Sequence, residues 1–161
     1  MLIIERLDSR RHDRDGFDCA EPSLNAYLQR QAAQHHRAGI ATTHVLVDEL
    51  APSMVVGYYS LAAAQLLLED LSEADQNRLP RYPVPAVRLA RLAVAMRDQG
   101  RGLGAALLQD AVRRSLELRA ELGVRVLVVD ALHERAAGFY RSYGFRDTAG
   151  NASTLYLPLG K

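Results

Sequence analysis

The sequence holds one cysteine, one lysine and no long apolar run. Each scarcity excludes something. The lone Cys19 cannot close an internal disulfide or supply the cysteines of a zinc site, and as a small apolar side chain it is expected in the core. No stretch reaches the roughly 18 apolar residues that a membrane helix needs. The opening Met1-Leu-Ile-Ile-Glu-Arg6 lacks the charged-then-apolar order of a secretion signal. A cytoplasmic protein without membrane contact is therefore expected. The histidines are scattered, and the adjacent His35 and His36 do not share a helix face, so no metal is expected. Of 161 residues, 48% are hydrophobic, enough for one core, and a single domain over 1–161 is expected.

The near-absence of lysine leaves arginine as the basic residue, and Lys161 is the exception. Arginine suits bidentate phosphate contacts better than lysine does. Net charge is only +1, but it is segregated along the chain. Residues 38–75 contain six acids and no Lys or Arg, whereas residues 76–101 contain six arginines against Asp98. Charge that balances overall but separates locally builds a basic face.

Periodicity predicts a strand over residues 2–7 and then a polar stretch. Pro22 opens a helix whose apolar stripe is Leu24, Tyr27, Leu28 and Ala32, with Gly39 ending it. Residues 42–48 and 54–64 read as a hairpin with its turn at 49–53. A short helix is predicted around 72–77. Pro80, Pro83 and Pro85 then forbid regular helix. A strand is predicted over 87–95, the longest helix over 102–122, and a central apolar strand over 124–131. A helix over 133–143 and two short strands within 145–159 complete the pattern.

The chemistry concentrates where the strand ending near Ala95 runs through a glycine-rich turn into the long helix. Gly100, Gly102 and Gly104 let a backbone take unusual dihedrals and approach a ligand closely. Unpaired N–H groups in the first helical turn, with the helix dipole, make an anion site suited to a pyrophosphate. Arg101 adds a charge. Ala105 and Ala106 follow the glycines, so the Lys-Ser/Thr of a P-loop is missing. The spacing G-x-G-x-G also departs from the dinucleotide fingerprint G-x-G-x-x-G.

Gln99-Gly-Arg-Gly-Leu-Gly104 resembles the Q/R-x-x-G-x-G/A pattern of the GNAT superfamily of N-acyltransferases. Phe139-Tyr140-Arg-Ser-Tyr-Gly144-Phe145 resembles the F-Y-x-x-x-G-F signature of the same superfamily. The likeness covers nearly the whole chain. It implies an α/β (α+β) fold, with a central mixed, mostly antiparallel sheet flanked by about four helices. It implies acetyl-CoA as cosubstrate, its pyrophosphate on Gln99, Gly100, Arg101, Gly102, Leu103, Gly104 and Ala105. Its pantetheine arm is implied to lie along Leu92, Ala93 and Val94. Tyr140 is implied to be the general acid that protonates the leaving thiolate, while Tyr143 occupies a variable position. Asp130, His133 and Glu134 are candidate bases by proximity in sequence alone. An α-amine, with pKa near ~8, needs less help from a base than a lysine near ~10.4.

A narrower resemblance lies outside these motifs. Phe17-Asp-Cys-Ala-Glu-Pro-Ser-Leu-Asn-Ala-Tyr-Leu28 is similar to the opening of acetyltransferase toxins of bacterial toxin–antitoxin modules. Thr42-Thr-His-Val, Val56-Gly-Tyr-Tyr-Ser-Leu-Ala62, Pro83-Val-Pro85 and Arg91-Leu-Ala-Val94 continue the match. Two positions depart from it: Ala20 stands where glycine is frequent, and Ala95 where an acid is frequent. This resemblance implies acetylation of the α-amine of aminoacyl-tRNA, which blocks translation. It also implies a small ribbon-helix-helix antitoxin, DNA contact only through that antitoxin, and a homodimer. Arg30, Arg37, Arg78, Arg81, Arg88 and Arg91 are the expected contacts to tRNA phosphates. The alternatives are a GNAT enzyme acting on a small-molecule amine or a protein N-terminus, and a non-catalytic CoA- or antitoxin-binding module.

Overall fold

The computed structural model describes residues 1–78, 83–151 and 153–160. The strands are β1 (Leu2–Arg6), β2 (Thr42–Asp48), β3 (Ala51–Leu66), β4 (Val84–Val94), β5 (Val126–Asp130), β6 (Arg146–Asp147) and β7 (Thr154–Pro158). The helices are α1 (Pro22–Ala26), α2 (Ala32–Ala38), α3 (Glu73–Gln76), α4 (Leu103–Leu122) and α5 (Glu134–Ser142). One π-helical turn, Tyr27–Gln31, makes α1 and α2 continuous. The β4–β5 pair is parallel, and β1–β2, β2–β3, β5–β7 and β6–β7 are antiparallel. This is the mixed, mostly antiparallel sheet with about four helices that was expected. Among the described residues, no helix is long and apolar enough to cross a membrane.

The residues form two compact units. The first joins Met1–Ala62 to Ala90–Ala111. Its core includes Phe17, Cys19, Tyr27, Leu28, Val45 and Tyr58, so Cys19 is the buried side chain expected. Pro22 occupies the first turn of α1, where its missing N–H costs nothing. A single α-helix was expected through Gly39, and the π-helical turn departs from it. The Ala32 N–H bonds the Tyr27 carbonyl, five residues back. In a regular α-helix, residues five apart face roughly 140° away from each other. The wider turn brings Tyr27 and Ala32 toward one side, and both are buried. Gly39 takes φ +73° and stops the helix, with Ile40 N–H donating to the His35 carbonyl at 3.0 Å.

The β2–β3 hairpin turns sooner than expected. Its register shifts between Leu46 and Asp48, so Asp48 pairs with Ala51 and only residues 49–50 form the turn. Such a bulge accommodates Pro52, which lacks a ladder N–H. Further along β3, a Cβ on Gly57 would lie 2.9 Å from the Ala93 carbonyl oxygen and 3.0 Å from Leu107 Cδ1. Glycine is needed there so that β3 can lie close against Ala93.

The second unit joins Ala63–Leu89 to the described residues from Val112 on. β5 runs between β4 and β7: Ala86 pairs with Val126 through Leu89 with Val129, and Val126 pairs with Pro158 on the other side. Leu127, Val128 and Val129 are fully buried, which explains the apolar run of that strand. β4 starts at Val84 rather than at 87 and includes Pro85. Pro85 donates no ladder bond, but its carbonyl accepts from Arg125 N–H at 2.9 Å. α3 is held by Asp75, whose carboxylate takes the Tyr156 hydroxyl at 2.7 Å, Ser72 Oγ at 3.0 Å and the Arg146 guanidinium. Burial alone would raise the Asp75 pKa, but these three donors hold it below the ordinary carboxylate range.

Candidate functional site

In the first unit, β4 leaves the sheet at Val94 and passes through a tight turn at Met96–Asp98 into Gln99. The turn is held from three directions. Ala95 N–H donates to the Val56 carbonyl and Met96 N–H to the Asp18 carbonyl, both at 2.8 Å. The Gln99 side-chain amide donates to the Val94 carbonyl at 2.9 Å and to the Cys19 carbonyl at 3.2 Å. Arg101 reaches back to Asp98 at 3.0 Å.

Gly100 and Gly102 take φ +82° and +75°, and a Cβ on either would meet nothing within 4 Å. The demand for glycine is conformational, and the space over the turn is open. Gly104 departs from the expectation. It lies inside α4 and is absent from the positive-φ positions, because the helix has already begun and fixes its backbone. The N–H groups of Leu103, Gly104 and Ala105 have no acceptor among the described residues. They head a 20-residue helix, so donors and dipole converge at one point. β4 pairs with β5 only from Ala86 to Leu89. Leu92, Ala93 and Val94 lie beyond that pairing, with Ala93 buried and its neighbours half-buried.

The loop at residues 17–25 supports this turn, a connection that sequence reasoning missed. Asn25 Oδ1 accepts from Cys19 N–H at 2.8 Å, and Asn25 Nδ2 donates to Asp18 Oδ1 at 3.1 Å. Ala20 N–H also donates to Asp18 Oδ1, at 2.9 Å. These donors, Ala20 first and Asn25 next, hold the exposed Asp18 carboxyl below its usual range. Ala20 has φ +74°, so its backbone needs the conformation that a glycine accepts freely. The departure from glycine at this position was the available signal.

In the second unit, α5 presents Tyr140. His133 caps the helix start, its Nδ1 accepting from Ala136 N–H at 3.1 Å. At the other end, Gly144 N–H donates to the Arg141 carbonyl at 3.0 Å and Phe145 N–H to the Tyr140 carbonyl at 3.2 Å. Gly144 has φ +92°, and the Phe145 ring lies 5.4 Å from that of Tyr140. This is a Schellman stop with its apolar contact. It gives the F-Y-x-x-x-G-F pattern a physical meaning: the helix end clamps Tyr140. The Tyr140 ring is buried, and its hydroxyl bonds no described residue. Burial pushes its phenol well above the usual tyrosine range, so it keeps its proton. Tyr143 is 45% exposed.

The three candidate bases are all engaged. Asp130 pairs with Arg88 and accepts from Thr154 Oγ1 at 2.8 Å. Glu134 pairs with Arg141 at 2.6 Å. His133 is the helix cap. Of the candidate phosphate contacts, Arg30, Arg37 and Arg91 lie in the first unit and Arg78 and Arg88 in the second. Arg81 lies outside the described residues. Arg30, Arg37 and Arg78 are exposed. Arg91 is half-buried, its guanidinium 4.2 Å from the centre of the Tyr27 ring; Arg88 is tied to Asp130.

The model of the acetyltransferase (GNAT) domain matches residues 41–147. The chain belongs to the GNAT acetyltransferases. The enzyme is 37% identical over 133 residues to a tRNA-acetylating toxin of Mycobacterium tuberculosis, covering 83% of this chain and 78% of that one. It is also similar to the toxin AtaT solved in complex with acetyl-methionyl-tRNAfMet, with 33% identity and a TM-score of 0.92 over 98% of this chain and 95% of that one. A tyrosine-to-phenylalanine form of AtaT, bound to the C-terminus of the antitoxin AtaR and acetyl-CoA, matches at 31% identity and a TM-score of 0.83. That match covers 98% of this chain and 93% of the other.

Proposed function

We propose that this acetyltransferase moves an acetyl group from acetyl-CoA to the α-amine of an aminoacyl-tRNA and so blocks translation. The observation that carries the reading is the likeness over nearly the whole chain to a toxin held with acetyl-methionyl-tRNA. The Gln99–Gly104 turn fits a pyrophosphate on its own evidence: open space over two left-handed glycines and three unpaired N–H groups. In this reading Leu103, Gly104 and Ala105 donate from the backbone, Gly100 and Gly102 leave room, and Arg101 adds charge. Gln99 holds the turn in shape rather than spending its amide on the ligand. Leu92, Ala93 and Val94 offer backbone groups to the pantetheine arm.

Tyr140 supplies the proton. As the amine nitrogen bonds to the thioester carbon, the carbon–sulfur bond breaks and the phenol proton passes to the sulfur. The amine proton leaves to solvent, which an α-amine permits near neutral pH, and the Tyr140 phenolate takes a proton back from solvent. Arg30, Arg37 and Arg78 contact tRNA phosphates, and the partnered Arg88 and Arg91 add positive field. Arg81 belongs to the same proposed set. The enzyme works in the cytoplasm as one domain over 1–161, as a homodimer. A small ribbon-helix-helix antitoxin restrains it and carries the complex to DNA. Expression of the chain alone should arrest growth, and adding enzyme with acetyl-CoA should stop cell-free translation. Translation that continues while the enzyme acetylates free amines would overturn the reading.

A further inference from the structure

A cleft of ≈460 Å³ opens in the first unit between β1 with its following loop and α2. Arg6 and Arg37 line it, and neither forms an ion pair among the described residues. Both are exposed. Arg11, also in the lining, is bound to Glu5 at 3.2 Å. Glu5 is further satisfied by the buried His12, whose Nε2 lies 2.8 Å away. His12 Nδ1 accepts from Asp8 N–H, so Nε2 carries the proton and donates to Glu5. Glu5 is thereby occupied twice. Asp8 Oδ1 accepts from Arg10 N–H at 2.9 Å, which leaves Oδ2 as an acceptor.

The lining holds polar side chains besides the arginines. His36 Nδ1 accepts a long 3.5 Å bond from Thr43 N–H. His36 also lines the cleft. Ser9 adds a hydroxyl. Three arginines against two carboxylates leave the lining with an excess of one positive charge. A phosphodiester carries one negative charge, whereas a free phosphate carries ≈ −1.5 to −2 at pH 7. An acidic peptide would bring several carboxylates against Glu5 and Asp8. Asp8, with one carboxylate oxygen left as an acceptor, suits a donor such as the ribose 2′-hydroxyl, the group that distinguishes RNA from DNA.

We infer that this cleft is a binding site for one phosphodiester of RNA, gripped by Arg6 and Arg37. The inference rests on the tRNA reading above and adds a location to it. The test is tRNA affinity against salt for the wild type, Arg6→Gln, Arg37→Gln and the double variant. Each substitution should lower the log–log salt slope by roughly 0.7–0.9, and the double variant by about twice that. Acetyl-CoA affinity should be unchanged in all of them, which verifies the fold. A DNA stem of the same sequence should compete less well against the wild type and equally poorly against the double variant. A wild type that does not hold tRNA sinks the tRNA reading and this inference together. Wild-type binding that the variants leave intact sinks this inference alone. Poly-glutamate, or inorganic phosphate at constant ionic strength, that competes as well as RNA assigns the cleft to another anion and also overturns it.

Discussion

The Gln99–Gly104 turn and the end of α5 are built in opposite ways. The turn offers backbone: N–H groups of Leu103, Gly104 and Ala105, with open space over Gly100 and Gly102. The α5 end offers one side-chain atom, the Tyr140 hydroxyl, on a ring held by the Schellman stop at Gly144 and Phe145. A site made of backbone is damaged by adding atoms. A site made of one hydroxyl is damaged by removing one. The first should govern binding and the second rate, so substitutions can separate them.

The largest separation is expected from Tyr140→Phe. Single-turnover acetyl transfer should slow by about 10²–10⁴-fold, while calorimetry finds acetyl-CoA affinity nearly unchanged. Tyr143→Phe should behave as wild type, and a damaging Tyr143→Phe would show that the proton donor is misassigned. Because burial raises the Tyr140 phenol, its proton is retained as pH rises. The alkaline side of the wild-type rate profile should therefore show no loss through the ordinary tyrosine range near 10.

Gly102→Glu tests the opposite half. It puts a side chain and a negative charge over the turn, where like charges near a surface repel by about 4 kcal/mol at close range. Acetyl-CoA affinity should fall about 10²–10³-fold while circular dichroism stays native. Unchanged affinity in a folded variant would remove the pyrophosphate from this turn.

Gln99→Ala sharpens the comparison by asking whether the turn needs its brace. The Val94 and Cys19 carbonyls would each lose a donor, costing about 1–2 kcal/mol of stability. Acetyl-CoA affinity should drop about tenfold through the loosened turn. A loss as large as that of Gly102→Glu would mean that Gln99 touches the ligand. Smallest, Ala20→Gly relieves a left-handed backbone worth about 1 kcal/mol. The melting midpoint should rise by about 2–4 °C, with no change in rate.

The glycine turn was legible because its reason is local. The glycines at 100 and 102 announce a turn, whereas the segment from Phe139 to Phe145 was read only through its resemblance, and the structure supplies the helix stop at Gly144 as its reason. The sheet was legible from apolar runs such as residues 126–129. Pairings made across the chain were not legible. Sequence counts Arg88 and Arg91 as two free charges, but folding sets one on Asp130 and the other over Tyr27. The Gln99–Cys19 bond spans 80 positions, and no periodicity reports it. The π-helical turn escaped for a similar reason. It depends on which side of the helix meets the core, and the stripe Leu24, Tyr27, Leu28 and Ala32 also suits an ordinary helix.

The central claim is that the acceptor is an amino acid already esterified to tRNA. The direct measurement incubates the enzyme with labelled acetyl-CoA and charged tRNA, and in parallel with the same tRNA stripped of its amino acid and with the free amino acid. Label should enter only the charged tRNA, and mild alkali should release it as N-acetyl amino acid. Equal labelling of the free amino acid, or label retained on the stripped tRNA, would contradict the account.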